Sequence, residues 1–566
     1  MHLNRRCVSL RPPVLWLLVG AFLGLASPVA STAPIVGSGD TATAEPRAAR
    51  PGTEPCVVTL FSGYTFADFT PKSFTYTPPS ACRGPWAKVV LEADFAVSAG
   101  RQFDRTATVF VGGVNIYFGT TMEPSRSLGP TWHVERDLTD YSALFSAPQS
   151  GLVNLGNLVD STYTGILTGS AKLLFYPLPP RSTAPRTPDV VLPLSAGAAG
   201  GTVSLSTTTS TLARSFALPT NIERAYLDVY VQSQGQDEFF YTCVPSDVAD
   251  KLQSCGGTSF REAEISIDGQ PAGVAPVFPW IYTGGIDPYL WRPIPGVQAL
   301  AFVPYRVDLT PFSARLSDGR NHEVALRVYN ANNRFEATAA LLLFRDAGSD
   351  RVRGGLLRNT LSAAPSPSID KALVTAMDGS ISGTVTVQAT RSFVIAGYVD
   401  TSHGRVYTEL DQTLGFSNRQ VFDISTVKYQ QNIQQSTSIQ VISRVQEAGL
   451  HRQTTQQQSW PLRVNFAASE KPDKSSTQTT EIRQEYENRE QIEDNGHPVH
   501  FRLVSNRVSP SDTLNFDASG AFKGTSGQKS AQEYLSIDSG DGCYSREITA
   551  ESGLVTAVHE QRLCSP

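Results

Sequence analysis

The chain is poor in charge and has no strong excess of either sign: 17% of its residues are charged and the formal net charge is −5. A broad positive field of the kind that holds nucleic acid is therefore absent, and no nucleic-acid partner is expected. Methionine is scarce, 3 residues against 44 Gly and 37 Pro, a balance that disfavours long helices and suits short strands joined by turns. There is no Gly-rich phosphate cradle, no His-Glu-x-x-His pair, no Gly-x-Ser-x-Gly elbow and no Cys-x-x-Cys pair. The 8 histidines are scattered, the nearest two being His497 and His500 in a polar late segment. Neither a metal nor a cofactor is expected on this pattern, so catalysis would rest on carboxylates, amides and arginine.

Long apolar runs are also missing, with one exception. Arg5, Arg6 and Arg11 precede the run Val14 to Leu25, and small residues follow around Ala30 to Ala33. This reads as an export signal over 1–33, too short to span a bilayer, and predicts a secreted or periplasmic protein with no membrane partner after cleavage. Removing Cys7 with the signal leaves six cysteines in neighbouring couples: Cys56 with Cys82, Cys243 with Cys255, Cys543 with Cys564. Fifteen connectivities are open to six cysteines; an oxidising compartment and local spacing favour these three.

What is present is β-patterned. Residues 34–54, rich in Ala, Thr, Pro and Gly, read as a disordered leader. Over 55–180, Ala87, Val89, Leu91, Ala93, Phe95 and Val97 alternate with Lys88, Glu92 and Asp94, the period of a half-buried strand. A proline-rich linker covers 181–189, a second β block 190–346, a looser linker 347–370, and a further β-rich domain 371–566. The second block carries Asp268-Gly269, a hairpin signal. The expected fold is all-β: two tandem jelly-roll or sandwich domains followed by a C-terminal β-rich domain whose middle is rich in glutamine.

Candidate chemistry gathers at four places. Asp104 and Arg105 stand at the mouth of a strand that runs into Gly112-Gly113, and Glu123 follows the second strand of that hairpin. Asp237 and Glu238 end a strand just before the Cys243 to Cys255 loop. Gly284-Gly-Ile-Asp287-Pro-Tyr-Leu-Trp291-Arg292-Pro293 places aromatic, acidic and cationic groups on one proline-pinned loop. Asn157 and Asp160 lie late in the first block. Aromatic rings cover the apolar faces of sugars, while carboxylates and amides bind hydroxyls.

Phe103-Asp104-Arg105, Leu218-Pro-Thr-Asn221-Ile-Glu-Arg-Ala-Tyr-Leu227 and Gly284 to Pro293 together resemble the peptide N-glycosidases. The likeness to the plant and fungal A type runs over nearly the whole mature chain and includes Leu155 to Gly165, Glu123-Pro124 and Ser402-His-Gly404; that to the bacterial F type is confined to the first two blocks. The resemblance implies two side-by-side jelly rolls with a cleft at their junction. It also implies hydrolysis of the amide joining asparagine to N-acetylglucosamine in an N-glycopeptide or N-glycoprotein, which leaves aspartate. The key acid of the aromatic-Asp-Arg motif carries onto Asp104. The family's acidic position before Phe260-Arg261 reads Gly256-Gly257-Thr258 here, and the second carboxylate is assigned to Glu238, then Glu123. Arg105, Asn157, Asp160, Asp237, Asp287, Trp291 and Arg292 are the expected substrate contacts, and the protein is expected to act as a monomer.

A carboxylate base with its ordinary pKa of about 3.9 stays ionised in acid, so activity below about pH 5 is expected. The competing readings are a non-catalytic glycan-binding or adhesion protein, and a copper monooxygenase on twin jelly rolls, for which the histidine pattern is lacking.

Overall fold

A computed structural model describes residues 34–80, 82–540 and 542–561. The stretch 1–33, read as an export signal, and the Cys564 half of the third cysteine couple lie outside the described residues.

The first β block supplies eight strands: β1 (Cys56–Phe66), β2 (Lys72–Tyr76), β3 (Trp86–Val97), β4 (Thr106–Val111), β5 (Val114–Thr120), β6 (Thr131–Asp137), β7 (Gln149–Leu155) and β8 (Leu167–Pro177). They form two antiparallel sheets, ordered β1-β8-β3-β6 and β2-β7-β4-β5. That exchange of partners between facing sheets is the jelly-roll arrangement. The alternation on β3 works as the sequence implies: Val89, Leu91, Ala93, Phe95 and Val97 are buried between the sheets. Its opposite face carries Glu92, joined to Lys172 and Arg50.

The second block repeats the scheme with β9 (Val190–Leu194), β10 (Val203–Leu205), β11 (Thr211–Ala217), β12 (Ile222–Ser233), β13 (Glu262–Ile267), β14 (Gln270–Pro276), β15 (Tyr305–Asp308), β16 (Asn321–Tyr329) and β17 (Phe335–Arg345). Its sheets run β10-β17-β12-β15 and β11-β16-β13-β14, with β9 added beside β17. Setting β9 aside, the two blocks have the same strand order. Ala340 and Leu342 of β17 pack into the core of the first block, and the Tyr117 hydroxyl donates to the Leu300 carbonyl at 2.6 Å. The two jelly rolls thus meet along an apolar seam. Cys56–Cys82 and Cys243–Cys255 are disulfides, as the spacing predicts.

The C-terminal region is one twelve-stranded antiparallel sheet, with strands as long as Ile381–Thr401, Gly404–Ile424 and Leu450–Glu470. One face packs on the second jelly roll: Leu414, Ile433, Ile439, Trp460, Leu462 and Ile482 share that domain's core. Two segments differ from their sequence reading. The stretch 347–370 contributes the edge strand Arg353–Asn359, paired with Ile381–Thr401, instead of a loose link. Gly354-Gly355 look like breakers, but an edge strand tolerates them, and Pro365 falls in the loop that follows it. The stretch 34–54, read as a disordered leader, is an extended strap. Ala42 and Ala44 are buried, the Ala44 N–H donates to Gln532 Oε1 at 2.7 Å, and Ala48 covers Val90, Leu174 and Tyr176. Small residues suit a chain squeezed between two sheets, a context that composition alone does not reveal. Among the described residues no helix is long and apolar enough to cross a membrane.

Candidate active site

The β4–β5 hairpin closes through Gly112 and Gly113, whose φ of 56° and 81° few other residues adopt without strain. Its ladder continues past the strand ends: Thr121 N–H donates to the Arg105 carbonyl at 2.9 Å, and Arg105 N–H to Thr121 Oγ1 at 2.9 Å. This pairing brings Glu123 back to Asp104, whose backbone N–H donates to Glu123 Oε1 at 3.2 Å.

From the second jelly roll, β12 ends in the turn Gly235–Asp237, and Glu238 follows it. Between β14 and β15 the chain makes the long excursion 277–304. Its Gly284 N–H donates to the Asp104 carboxylate, and its Arg292 Nη2 lies 3.3 Å from Glu123 Oε2. These elements close a cleft of about 420 Å³ at the junction of the two jelly rolls. Asp104, Arg105, Phe69 and Asn154 line it from the first domain; Glu238, Tyr282, Arg334 and Glu336 line it from the second.

Three carboxyl groups share this corner, and burial dominates each. Burial raises Asp104 to about 6 against the Gly284 N–H and the Arg105 charge, which favour its ionised form. Burial and then the Asp104 charge raise Glu123 to about 7, and Arg292 opposes them. The same two causes raise Glu238 to about 7, with no opposing cation. Asp104 therefore ionises first, and burial together with its charge keeps the other two protonated. Tyr282, which donates to the Ser233 carbonyl, is held neutral by burial and by both Glu238 and Asp104.

Of the residues named from sequence, Asp104, Arg105 and Glu238 face the cleft. Glu123 and Arg292 sit behind Asp104, with Arg292 also donating to the Pro124 carbonyl at 3.0 Å. The others lie elsewhere. Asn157 is fully buried and ties the Phe66 and Gly165 carbonyls together. Asp160 accepts the Thr162 and Tyr163 N–H groups of its own surface turn. Asp237 is locked to Arg261 and to the N–H groups of Asn332, Asn333 and Arg334. Trp291 is a core residue whose Nε1 donates to the Gly285 carbonyl, and Asp287 is buried facing Asp512. The sequence reading missed Phe69, Tyr282, Arg334 and Glu336. The signal for the last two is their i, i+2 spacing at the start of β17, which puts both on one face.

Two groups of carboxylates and histidine lie outside the cleft: Glu92, His133 and Glu135, and Glu223, Asp346 and His403. Arginine occupies each, Arg50 bridging Glu92 and Glu135, and Arg186 meeting Glu223.

Gly284 admits no side chain. A Cβ there would stand 2.6 Å from Asp104 Oδ1 and would also strike Glu123 Oε1. Gly284→Ala is expected to lower kcat by about 10²-fold, the scale of an ångström of misplacement. Steady-state kinetics with a glycopeptide checks it.

The sequence profile of the peptide N-acetyl-β-D-glucosaminyl asparaginase amidase A family matches residues 46–344. The chain is 34% identical over 393 residues to the peptide-N4-(N-acetyl-β-glucosaminyl)asparagine amidase A of Prunus dulcis, spanning 66% of this chain and 67% of that protein. Among solved structures, PNGase F, a glycosylasparaginase from Flavobacterium meningosepticum, aligns over 52% of this chain and 96% of its own, at 15% identity and a TM-score of 0.35. PNGF-II aligns over 52% of this chain and 66% of its own, at 12% identity and a TM-score of 0.36.

Proposed function

The chain belongs to the peptide N-acetyl-β-D-glucosaminyl asparaginase amidase A family, and from that membership and the cleft we infer that it hydrolyses the amide joining asparagine to the first N-acetylglucosamine of an N-glycan. The observation that carries the mechanism is that two carboxyl groups, Asp104 from the first jelly roll and Glu238 from the second, line one cleft, where burial raises both above the ordinary carboxylate range.

An amide is a weak electrophile, so water must lose a proton as it attacks and nitrogen must gain one as it leaves. Asp104 takes the proton from water, and the hydroxide oxygen adds to the side-chain carbonyl carbon. Arg105 faces the same cleft and steadies the oxyanion. Glu238 gives its proton to the amide nitrogen, and the C–N bond breaks. The peptide keeps aspartate; the sugar leaves as a glycosylamine, which loses ammonia in water. Phe69, exposed at the rim, offers a ring to the apolar face of the sugar. Glu123 fixes Asp104 from behind.

Incubation with a denatured N-glycopeptide tests this. Glycan release with conversion of asparagine to aspartate is the expected result, and binding without conversion would favour a non-catalytic lectin.

The pH profile follows from burial. Asp104 must be ionised, so kcat/KM falls as pH drops through about 6; Glu238 must be protonated, so it falls as pH rises through about 7. The ordinary value of about 3.9, from which activity below about pH 5 is expected, does not suit a carboxyl walled in on the cleft floor. Rates from about pH 4 to about 9 should be bell-shaped, and Glu238→Gln should abolish the alkaline limb. A rate that stays flat down to about pH 5 would remove Asp104 as a base of this pKa.

The two disulfides support action in an oxidising compartment, secreted or periplasmic.

A further inference from the structure

The glutamine-rich C-terminal sheet faces the second jelly roll with buried amides, and these amides grip main-chain carbonyls. Two segments are held, and both reach the cleft.

The first is the turn after Glu238. Asn418 Nδ2 donates to the Tyr241 carbonyl at 2.9 Å, Gln431 Nε2 to Thr242 at 3.2 Å, and Gln420 Nε2 to Cys243 at 3.0 Å. These side chains also bond one another: Asn418 Nδ2 donates to Gln435 Oε1 at 2.7 Å, Gln420 Nε2 to Asn418 Oδ1 at 3.0 Å, and Gln431 Nε2 to Gln420 Oε1 at 2.7 Å. All four lie within 8% exposure on the adjacent strands Gly404–Ile424 and Lys428–Glu447. Of the four amides, three have their nitrogens bonded to carbonyls and only Gln435 Nε2 lacks a partner, so the network fixes the Asn418, Gln420 and Gln431 side chains in one geometry.

The second is the excursion that carries Gly284 and Arg292. Gln484 holds both of its shoulders, donating to the Pro279 carbonyl at 3.1 Å and accepting the Val297 N–H at 2.9 Å. Gln528 Nε2 donates to the Tyr289 carbonyl and, at 3.2 Å, to the Arg292 carbonyl. Phe522 stacks on Tyr289 with centroids 5.5 Å apart, and Asp512 meets Asp287.

We propose that the C-terminal sheet is a positioning platform for catalysis, its amides setting the loops that aim Glu238, the Gly284 N–H and Arg292, with Gln528 as the positioning residue for the Gly284–Arg292 loop. The proposal rests on the amidase reading above. None of these amides touches the cleft, so they act through the loops they hold. This accounts for glutamine where apolar residues would pack as well: an apolar side chain covers a loop, whereas an amide fixes where its carbonyls point.

The decisive comparison is Gln528→Glu with Gln528→Lys. Gln528 is only half-buried, so both variants fold. Glutamate has the same shape but presents lone pairs to two carbonyls, whereas lysine restores a donor. Gln528→Glu is expected to lower kcat about 10-fold or more with KM changed less than about twofold, and Gln528→Lys to recover most of the loss. Hydrogen exchange of the 284–293 amides should rise in Gln528→Glu and return toward wild type in Gln528→Lys. Wild-type kcat and wild-type exchange in Gln528→Glu would overturn the proposal, as would an equal loss in both variants. Should the wild-type chain release no glycan, the amidase reading falls by itself, and the exchange measurement alone then supports or overturns the bracing.

Discussion

Asp104→Asn is expected to lower kcat by about 10² to 10⁴ and to leave KM within a few-fold, the effect of removing a general base while keeping its shape. The substitution disturbs little else. The backbone N–H of residue 104 still donates to Glu123, and the amide oxygen still accepts the Gly284 N–H. What disappears is the one carboxyl of the three that ionises near 6. Its loss has a second consequence. The folded pKa of Asp104 is raised above its unfolded value, so the unfolded state binds fewer protons between about pH 4 and about pH 6, and Asp104 lowers stability as pH rises through that window. Asp104→Asn should therefore unfold at a higher temperature than wild type at pH 7.5, with the difference vanishing below about pH 4. A variant that is inactive and also less stable at pH 7.5 would mean that Asp104 holds the fold instead of acting on water.

The Asp104 corner was legible because its geometry is local. A charged pair before a strand, a Gly-Gly turn and an acid just past the returning strand are enough to place Glu123 beside Asp104, since antiparallel pairing sets the register. The partner of β12, which brings Glu238 across the seam, is β17, about a hundred residues later, and no pattern in the sequence carries that distance. Tyr282 was missed for the same reason, and the i, i+2 spacing of Arg334 and Glu336 puts them on one face without saying what that face meets. The opposite error has a different cause. Asn157, Asp160, Asp237 and Trp291 have side chains that suit sugar, but the same groups satisfy backbone N–H and C=O atoms, and a turn takes them first. The strap shows a third limit. Ala-Thr repeats look featureless until a partner such as Gln532 accepts the N–H that the strap offers.

Asp237→Ala should have the largest effect on stability, about 3–5 kcal/mol, because it strands a buried charge. Asp237 and Arg261 each expose 1% of their side chain and meet at 3.1 Å. Asp237 Oδ2 also accepts three consecutive N–H groups, from Asn332 at 3.0 Å, Asn333 at 2.6 Å and Arg334 at 2.9 Å. Alanine leaves Arg261 Nη2 and those three N–H groups without an acceptor in a place water does not reach, while Nη1 keeps the Thr258 and Phe260 carbonyls. Burial already lowers the Arg261 pKa while Asp237 opposes that shift, so removing the acid leaves only the unfavourable part. The effect extends to the cleft. Asp237 ends the turn that presents Glu238, and it anchors the backbone of Arg334, so kcat should fall together with stability. Denaturant unfolding of Asp237→Ala, Arg261→Met and the double variant separates the two contributions. If the stranded charge is the main cost, the double variant recovers a substantial part of the lost stability, because methionine fills the guanidinium's space without its charge. Activity should not recover with it, since the three N–H groups behind Arg334 remain without an acceptor.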